Sequence, residues 1–334
     1  MTVDKMAPMA ITMGDASGVG PEIVLRRAAE GAFAADPVVV YGDAEILRHG
    51  AELLGIDVDI EVLGAPGDWH AGPLQVIDAA MLGAADHRPG EIDAAAGAAA
   101  REYVLMATRD AQDGKVAGIV TMPMNKEATQ LSDPGFVGHT ELIAAACGVQ
   151  RFTMMLTAGD LAVTHVSTHV SLQEAIRRVK TARVVEVIEL THETLHRFLD
   201  TPRIAVCGVN PHAGEHGLFG SEDAEQIVPA IEAARAAGID ATGPHPADTV
   251  FHQAVHRKRF DAIVCMYHDQ GHTPMKLLAF ESGVNVTVGL PIVRTSVDHG
   301  TAFDIAGQNR ANAENMKAAM RLAGKLAQNR KSYA

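Results

Sequence analysis

The stretch RIAVCGVNPH, residues 203–212, decides the fold. A short run of small and β-branched apolar residues breaks at Gly208, turns at Asn210-Pro211, and presents an imidazole at His212. So brief an apolar run, bounded by turn residues, reads as a buried strand. LAVTHVSTH (161–169) and DAIVCMYH (261–268) follow the same plan and end at His169 and His268. Working outward, AITM (10–13), PVVVYG (37–42), LQVID (74–78), AGIVTM (117–122), FTMML (152–156) and NVTVG (285–289) are further strands. Helical stretches alternate with them. Residues 93–113 are Ala-rich and stop at Gly114, and Ser171 to Glu174 has capping-box spacing. Residues 181–199 carry an apolar stripe, and Ser221-Glu222-Asp223 opens another helix at its electropositive end. The alternation predicts an α/β protein with a largely parallel sheet, and 334 residues predict two lobes.

Open α/β sheets bind ligands beyond the carboxyl ends of their strands. Three histidines delivered to that edge therefore predict one site. Imidazole suits Zn, Co, Ni, Mn or Fe, and three protein ligands leave positions open for substrate oxygens. Asp269, directly after His268, and Asp248, in the PADT segment, are each either an acceptor that orients an imidazole or a further ligand. A rival motif is His192-Glu193-Thr194-Leu195-His196, which matches HExxH. Its histidines flank the apolar stripe of Val184, Val187, Ile188 and Leu195, and no third ligand follows. A solvated helix flank is the better reading.

The formal net charge is −13, which argues against a duplex nucleic-acid binder and requires an anionic substrate to be held by local cations. Candidates are Lys126, Lys276 and Arg294, with Gly138-His139-Thr140-Glu141 offering backbone, imidazole and hydroxyl donors at a helix start. The loop from Gly14 to Glu22 has neither the Rossmann nor the Walker A spacing, so it states only that backbone passes close to something. No stretch reads as a membrane span or signal peptide, and Cys147, Cys207 and Cys265 form no disulfide framework. A cytoplasmic location is the expectation.

ITMGDASGVGPEI, GHTEL, STHVSL, GVNPHAGEHGLFGSE, YHDQGHTPMK and NVTVGLPIVRTSVDHGTAFDIAG together resemble the 4-hydroxythreonine-4-phosphate dehydrogenase family over nearly the whole chain. HGLFGSE and YHDQGHTPMKLLAF look more like its catabolic branch, which oxidises 4-phospho-D-threonate or 4-phospho-D-erythronate; the biosynthetic branch usually lacks a His at position 272. Ala16-Ser17 departs from the family's usual Pro-Ala. The resemblance implies a two-lobed isocitrate/isopropylmalate dehydrogenase-like fold, with residues 1–128 and 285–334 in the first lobe and 129–284, carrying the metal site and dimer interface, in the second. It implies substrate contacts from His139, Thr140, Lys276, Asn285 and Arg294, and a divalent metal (Zn, Mg, Mn or Co) on His169, His212 and His268. It further implies NAD against His299, Gly300, Thr301 and Asp304, and a homodimer that shares the metal between subunits.

The expected reaction oxidises the C3 hydroxyl of a 4-phosphorylated four-carbon hydroxy acid, followed by loss of CO2 to give dihydroxyacetone phosphate. The proton acceptor is left open among Lys126, Lys276, Asp248 and a water. The alternatives are the 4-hydroxythreonine-4-phosphate dehydrogenase of pyridoxal phosphate biosynthesis, a dihydrodiol dehydrogenase and a metal-dependent hydrolase; a non-catalytic metabolite binder is a further one.

Overall fold

Apolar runs without alternation belong to strands buried on both faces, as parallel sheets require. The computed structural model of the chain describes residues 7–33, 36–280 and 282–329. Its strands are β1 (Met9–Thr12), β2 (Val38–Gly42), β3 (Ile60–Val62), β4 (Leu74–Asp78), β5 (Gly118–Thr121), β6 (Thr153–Ala158), β7 (Leu161–His165), β8 (Ile204–Cys207), β9 (Ala241–His245), β10 (Ala262–Cys265), β11 (Val284–Val288) and β12 (Arg294–Val297). Every residue of β1, β2, β5, β7, β8, β10 and β12 is buried.

The chain divides into two units, one made of residues up to Gln150 with Leu290–Gln328, the other of Arg151–Gly289. In the first, the strand order is β3-β4-β2-β1-β5-β12 and the pairs are parallel. The helix Ala94–Gln112 is capped by Asp93, whose carboxylate accepts from Ala95 and Ala96 N–H at 2.7 and 2.9 Å. A Cβ at Gly97 would stand 2.4 Å from the Ala128 backbone, so glycine lets the helix Lys126–Ser132 press against it.

The second unit has the order β11-β6-β7-β10-β8-β9. β11 and β7 pair antiparallel with β6, whereas β7, β10, β8 and β9 run parallel. Ser171 Oγ accepts from Glu174 N–H at 3.2 Å, as the capping-box spacing predicts. Cys207 and Cys265 are buried neighbours, Sγ to Sγ 4.0 Å, and burial pushes the Cys265 thiol far up.

The division differs from the expected crossings at 128/129 and 284/285. The helix His139–Ala146 packs on Ala94–Gln112 and so stays with the first unit, and β11 pairs with β6 and so stays with the second. Residues 330–334 of the expected first lobe lie outside the described residues. Among the described residues no helix is long and apolar enough to cross a membrane.

Candidate active site

In the second unit the parallel order β7-β10-β8 places three carboxyl ends side by side, with Cys265 beside His165 and Val264 beside Val206. The chain leaving β7 is fastened to the chain leaving β10: Val166 N–H donates to the Cys265 carbonyl at 2.8 Å and Ser167 Oγ to the Met266 carbonyl at 3.1 Å. Beyond these ties the rings of His169 and His268 lie 5.6 Å apart, centroid to centroid, on a cleft of about 450 Å³ lined also by Thr168, Leu172, Tyr267 and Asp269. His268 opens the helix His268–Ala279, and its Nδ1 lies 2.7 Å from Asp269 Oδ1, a contact in which Nδ1–H donates to the carboxylate, so that Nε2 of the neutral ring is the nitrogen without the proton.

Sequence reasoning missed what stands beneath this pair. His272, one turn on, stacks on His268 with centroids 3.9 Å apart and planes 6° apart, and its Nδ1 lies 3.1 Å from Nε2 of the buried His165. Burial, then the His272 ring, pushes the His165 pKa down to about 3, so that ring is neutral and one nitrogen of the pair donates to the other. The spacing His165–His169 and His268–His272 was the available signal.

His212 does not join them. It stands exposed, its ring 6.0 Å from that of Phe219, at the start of a turn in which His212, Ala213, Gly214, Glu215 and His216 all have positive φ. Left-handed backbone costs about 1–2 kcal/mol for each non-glycine residue, so the surroundings must hold this turn. Among the described residues no group of three His, Cys, Asp or Glu side chains is placed to hold a metal ion. Two imidazoles are fewer than the three or four ligands a bound zinc takes, so one chain alone does not fit the expected ion. Asp248 sits exposed in the first turn of the helix Ala247–Arg257 and adds nothing to the pair. The HExxH histidines stack on each other at 5.3 Å while Glu193 is held by Arg151 at 3.1 Å, which leaves no metal motif there.

The first unit gathers a second polar group. Arg294 opens β12, is 4% exposed, and donates from Nη2 to Thr121 Oγ1 at 2.7 Å. Burial brings its pKa down to about 10, partly offset by the Glu141 carboxylate, so it stays cationic at neutral pH. His139 and Thr140 open the helix His139–Ala146. Burial, then the Arg294 charge, pushes the His139 pKa down to about 3, and its buried Nε2 meets no hydrogen-bond partner among the described residues. Lys126 begins its helix behind Asn125, whose Oδ1 accepts from Ala128 N–H at 2.9 Å. The glycine-rich loop does pass close to something: a Cβ at Gly18 would stand 3.0 Å from Thr301, and Val19 N–H donates to the Thr301 carbonyl at 2.9 Å. That contact sets the loop against the segment of His299, Gly300, Thr301 and Asp304. Lys276 and Asn285 belong to the second unit, Lys276 in the helix His268–Ala279 with Nζ 5.7 Å from the Phe280 ring centre, and Asn285 on β11 opposite Leu156.

A family model described as pyridoxal phosphate biosynthetic protein PdxA matches residues 34–323. The chain belongs to the PdxA family. It is a dehydrogenase of that family, 45% identical to a D-threonate 4-phosphate dehydrogenase of Cupriavidus necator over 98% of this chain and 99% of that one. It is also 45% identical to a 4-hydroxythreonine-4-phosphate dehydrogenase of Geobacter metallireducens, over 96% and 95%. The crystal structure of a 4-hydroxythreonine-4-phosphate dehydrogenase from Klebsiella pneumoniae superposes with a TM-score of 0.89 at 44% identity, covering 96% of this chain and 100% of that one. The α/β fold expected from the strand–helix alternation is thus that of PdxA-family structures.

One buried ionisable group of the first unit was not singled out from sequence, though its place in a glycine-rich strand end was a signal. Asp15 is 0% exposed; Oδ1 accepts from Ser17 N–H at 2.9 Å, while Oδ2 meets no partner among the described residues. Burial drives its pKa from 3.8 up to about 6. Between those values the folded chain keeps a proton that the unfolded chain releases, so stability falls as pH rises through that window. Asp15→Asn removes the ionisation. It is expected to stabilise the protein by about 3 kcal/mol at pH 7, with the gain vanishing below about pH 4, as read by thermal melts across pH.

Proposed function

We propose that this chain oxidises the C3 hydroxyl of 4-phospho-D-threonate or 4-phospho-D-erythronate with NAD, and that the resulting β-keto acid loses CO2 to give dihydroxyacetone phosphate. The observation that carries the reading is Arg294, a buried cation beside a neutral imidazole in a chain of net charge −13. Such a guanidinium suits the phosphate or carboxylate of a doubly anionic substrate. Relatives between 42% and 47% identical that bear the threonate name favour this acid, and the Geobacter relative supports a second reading, 4-hydroxythreonine 4-phosphate.

In this proposal Arg294, His139, Thr140, Lys276 and Asn285 bind the substrate. His139, held neutral, orients it by hydrogen bonding rather than by charge. The dinucleotide rests on His299, Gly300, Thr301 and Asp304, a segment braced by the glycine-rich loop. Candidates for the proton acceptor are Lys126, Lys276, Asp248 and a water.

The expected divalent ion (Zn, Mg, Mn or Co) is proposed to take His169 and His268 from one chain and His212 from a second copy. Three features support this: the His169–His268 pair, the Asp269 contact that orients His268, and the turn that presents His212 away from both. Apolar side chains on the same elements are left bare, Leu218 72%, Leu277 87% and Phe280 73% exposed, as a surface covered by another copy would be. When bound, such an ion supplies Lewis acidity that lowers the pKa of the substrate hydroxyl.

The test is turnover, followed by the absorbance of reduced nicotinamide. The D- and L-threonate and erythronate 4-phosphates and 4-hydroxythreonine 4-phosphate are compared, each with Mg, Mn, Co and Zn. The highest kcat/KM is expected on a D-tetronate 4-phosphate. A preference for 4-hydroxythreonine 4-phosphate establishes the second reading, and hydrolysis without nicotinamide reduction refutes both.

A further inference from the structure

The last helix of the first unit, Glu314–Gln328, carries Lys317, Arg321 and Lys325 at successive fourth positions. Such residues share a helix face, and like charges there repel. Lys317 is paired with Glu314 at 3.5 Å. Arg321 has no carboxylate three or four residues away on its own helix, where Lys317, Ala318, Gly324 and Lys325 stand. In a chain of net charge −13, a row of this kind is a local field that favours an anion.

The three cations line one cavity of about 550 Å³, and Met9, Val38, Ala117 and Met320 give it apolar walls. Arg27 reaches it from the last turn of the helix Gly20–Ala29. Glu30 holds Arg27 Nη1, whereas the buried Nε meets no hydrogen-bond partner among the described residues. Asp36 is the one carboxylate among the described lining residues, so four cations leave the cavity electropositive. Gly324 lines it too. Glycine weakens a helix relative to alanine, yet a Cβ at 324 would meet nothing within 4 Å, so packing does not require the glycine and its effect is to leave room.

Met9 and Val38 begin β1 and β2, and Ala117 directly precedes β5, so the cavity lies at the amino edge of these parallel strands. The glycine-rich loop leaves the carboxyl end of β1, the edge where open α/β sheets bind their substrates. The cavity is therefore a second place, and its apolar walls with a few convergent polar groups have the make-up of a small-molecule site. Phosphate, a dianion near neutral pH, matches converging cations better than a lone carboxylate does. We propose that this cavity binds an organic phosphate, its apolar body against the strand ends and its phosphate among Arg27, Lys317 and Arg321.

Calorimetry on the full chain tests this with 1-naphthyl phosphate, 1-naphthol and inorganic phosphate. Expected are one naphthyl phosphate per chain and binding at least roughly tenfold weaker for either fragment. Lys317→Gln and Arg321→Gln each weaken the ester by roughly tenfold, the loss of one charge-assisted contact. Gly324→Leu fills the cavity and abolishes binding, with the melting temperature level or raised. The two glutamine variants read the same site should the leucine variant not fold. Binding that survives every variant, or that is lost in Arg294→Met instead, puts the ligand elsewhere and overturns the proposal. Naphthol binding as tightly as its phosphate ester, or no binding by the wild type, overturns it as well. Binding is read without turnover, so the result stands apart from the reaction proposed above.

Discussion

Arg294→Met lowers kcat/KM by about a hundred- to a thousandfold and leaves the melting temperature level or raised. The two halves of this expectation have different causes. Arg294 is 4% exposed, and burial already draws its pKa down to about 10, so the folded chain bears a desolvation penalty for that charge. Methionine relieves the penalty, as replacement of buried charges by apolar side chains often does. An anionic substrate, however, loses its buried cation, worth about 3–4 kcal/mol where such pairs have been truncated, or two to three powers of ten. Steady-state kinetics and a thermal melt on the same preparation separate the effects. Unchanged kcat/KM with a lower melting temperature assigns Arg294 to packing on Thr121 instead.

His212→Ala abolishes turnover, by about a thousandfold or more, and weakens divalent-metal binding, yet changes stability little. The side chain is exposed, and its backbone at φ 52° is strained for alanine as it is for histidine, so the fold loses neither packing nor backbone comfort. Lewis acidity contributes several kcal/mol to activating an alcohol, which sets the size of the kinetic loss. Preserved turnover refutes the role given to His212, and preserved metal affinity with lost turnover moves that role to substrate.

How much was legible in the sequence follows from what each residue type announces. The strands that carry the histidines are apolar on both faces, and such runs announce themselves. β3, β9 and β12 did not: IEV is short, ATGPH holds a Gly-Pro pair at the sheet edge, and RTSV is polar though buried. His169 and His268 converge because parallel pairing sets β7 beside β10; the sequence implied only that both histidines lie at the carboxyl edge of a parallel sheet, not that these two strands are neighbours. That His212 points elsewhere depends on five positive φ angles in HAGEH, and nothing in that string except Gly214 favours them. Asp223 fastens the residues just before that turn, Val209 and Asn210, and it reads from sequence as an ordinary acidic residue of a helix's first turn. Arg294 was legible as a cation after a turn, but its burial was not, because burial belongs to the packing of β12 against β5.

Product stoichiometry tests the proposed coupled oxidation and decarboxylation of a phosphorylated hydroxy acid most directly. With D-threonate 4-phosphate, NAD and a divalent metal, equal amounts of reduced nicotinamide, CO2 and dihydroxyacetone phosphate are expected. Reduced nicotinamide without CO2, or no nicotinamide reduction with any of the four metals, contradicts it.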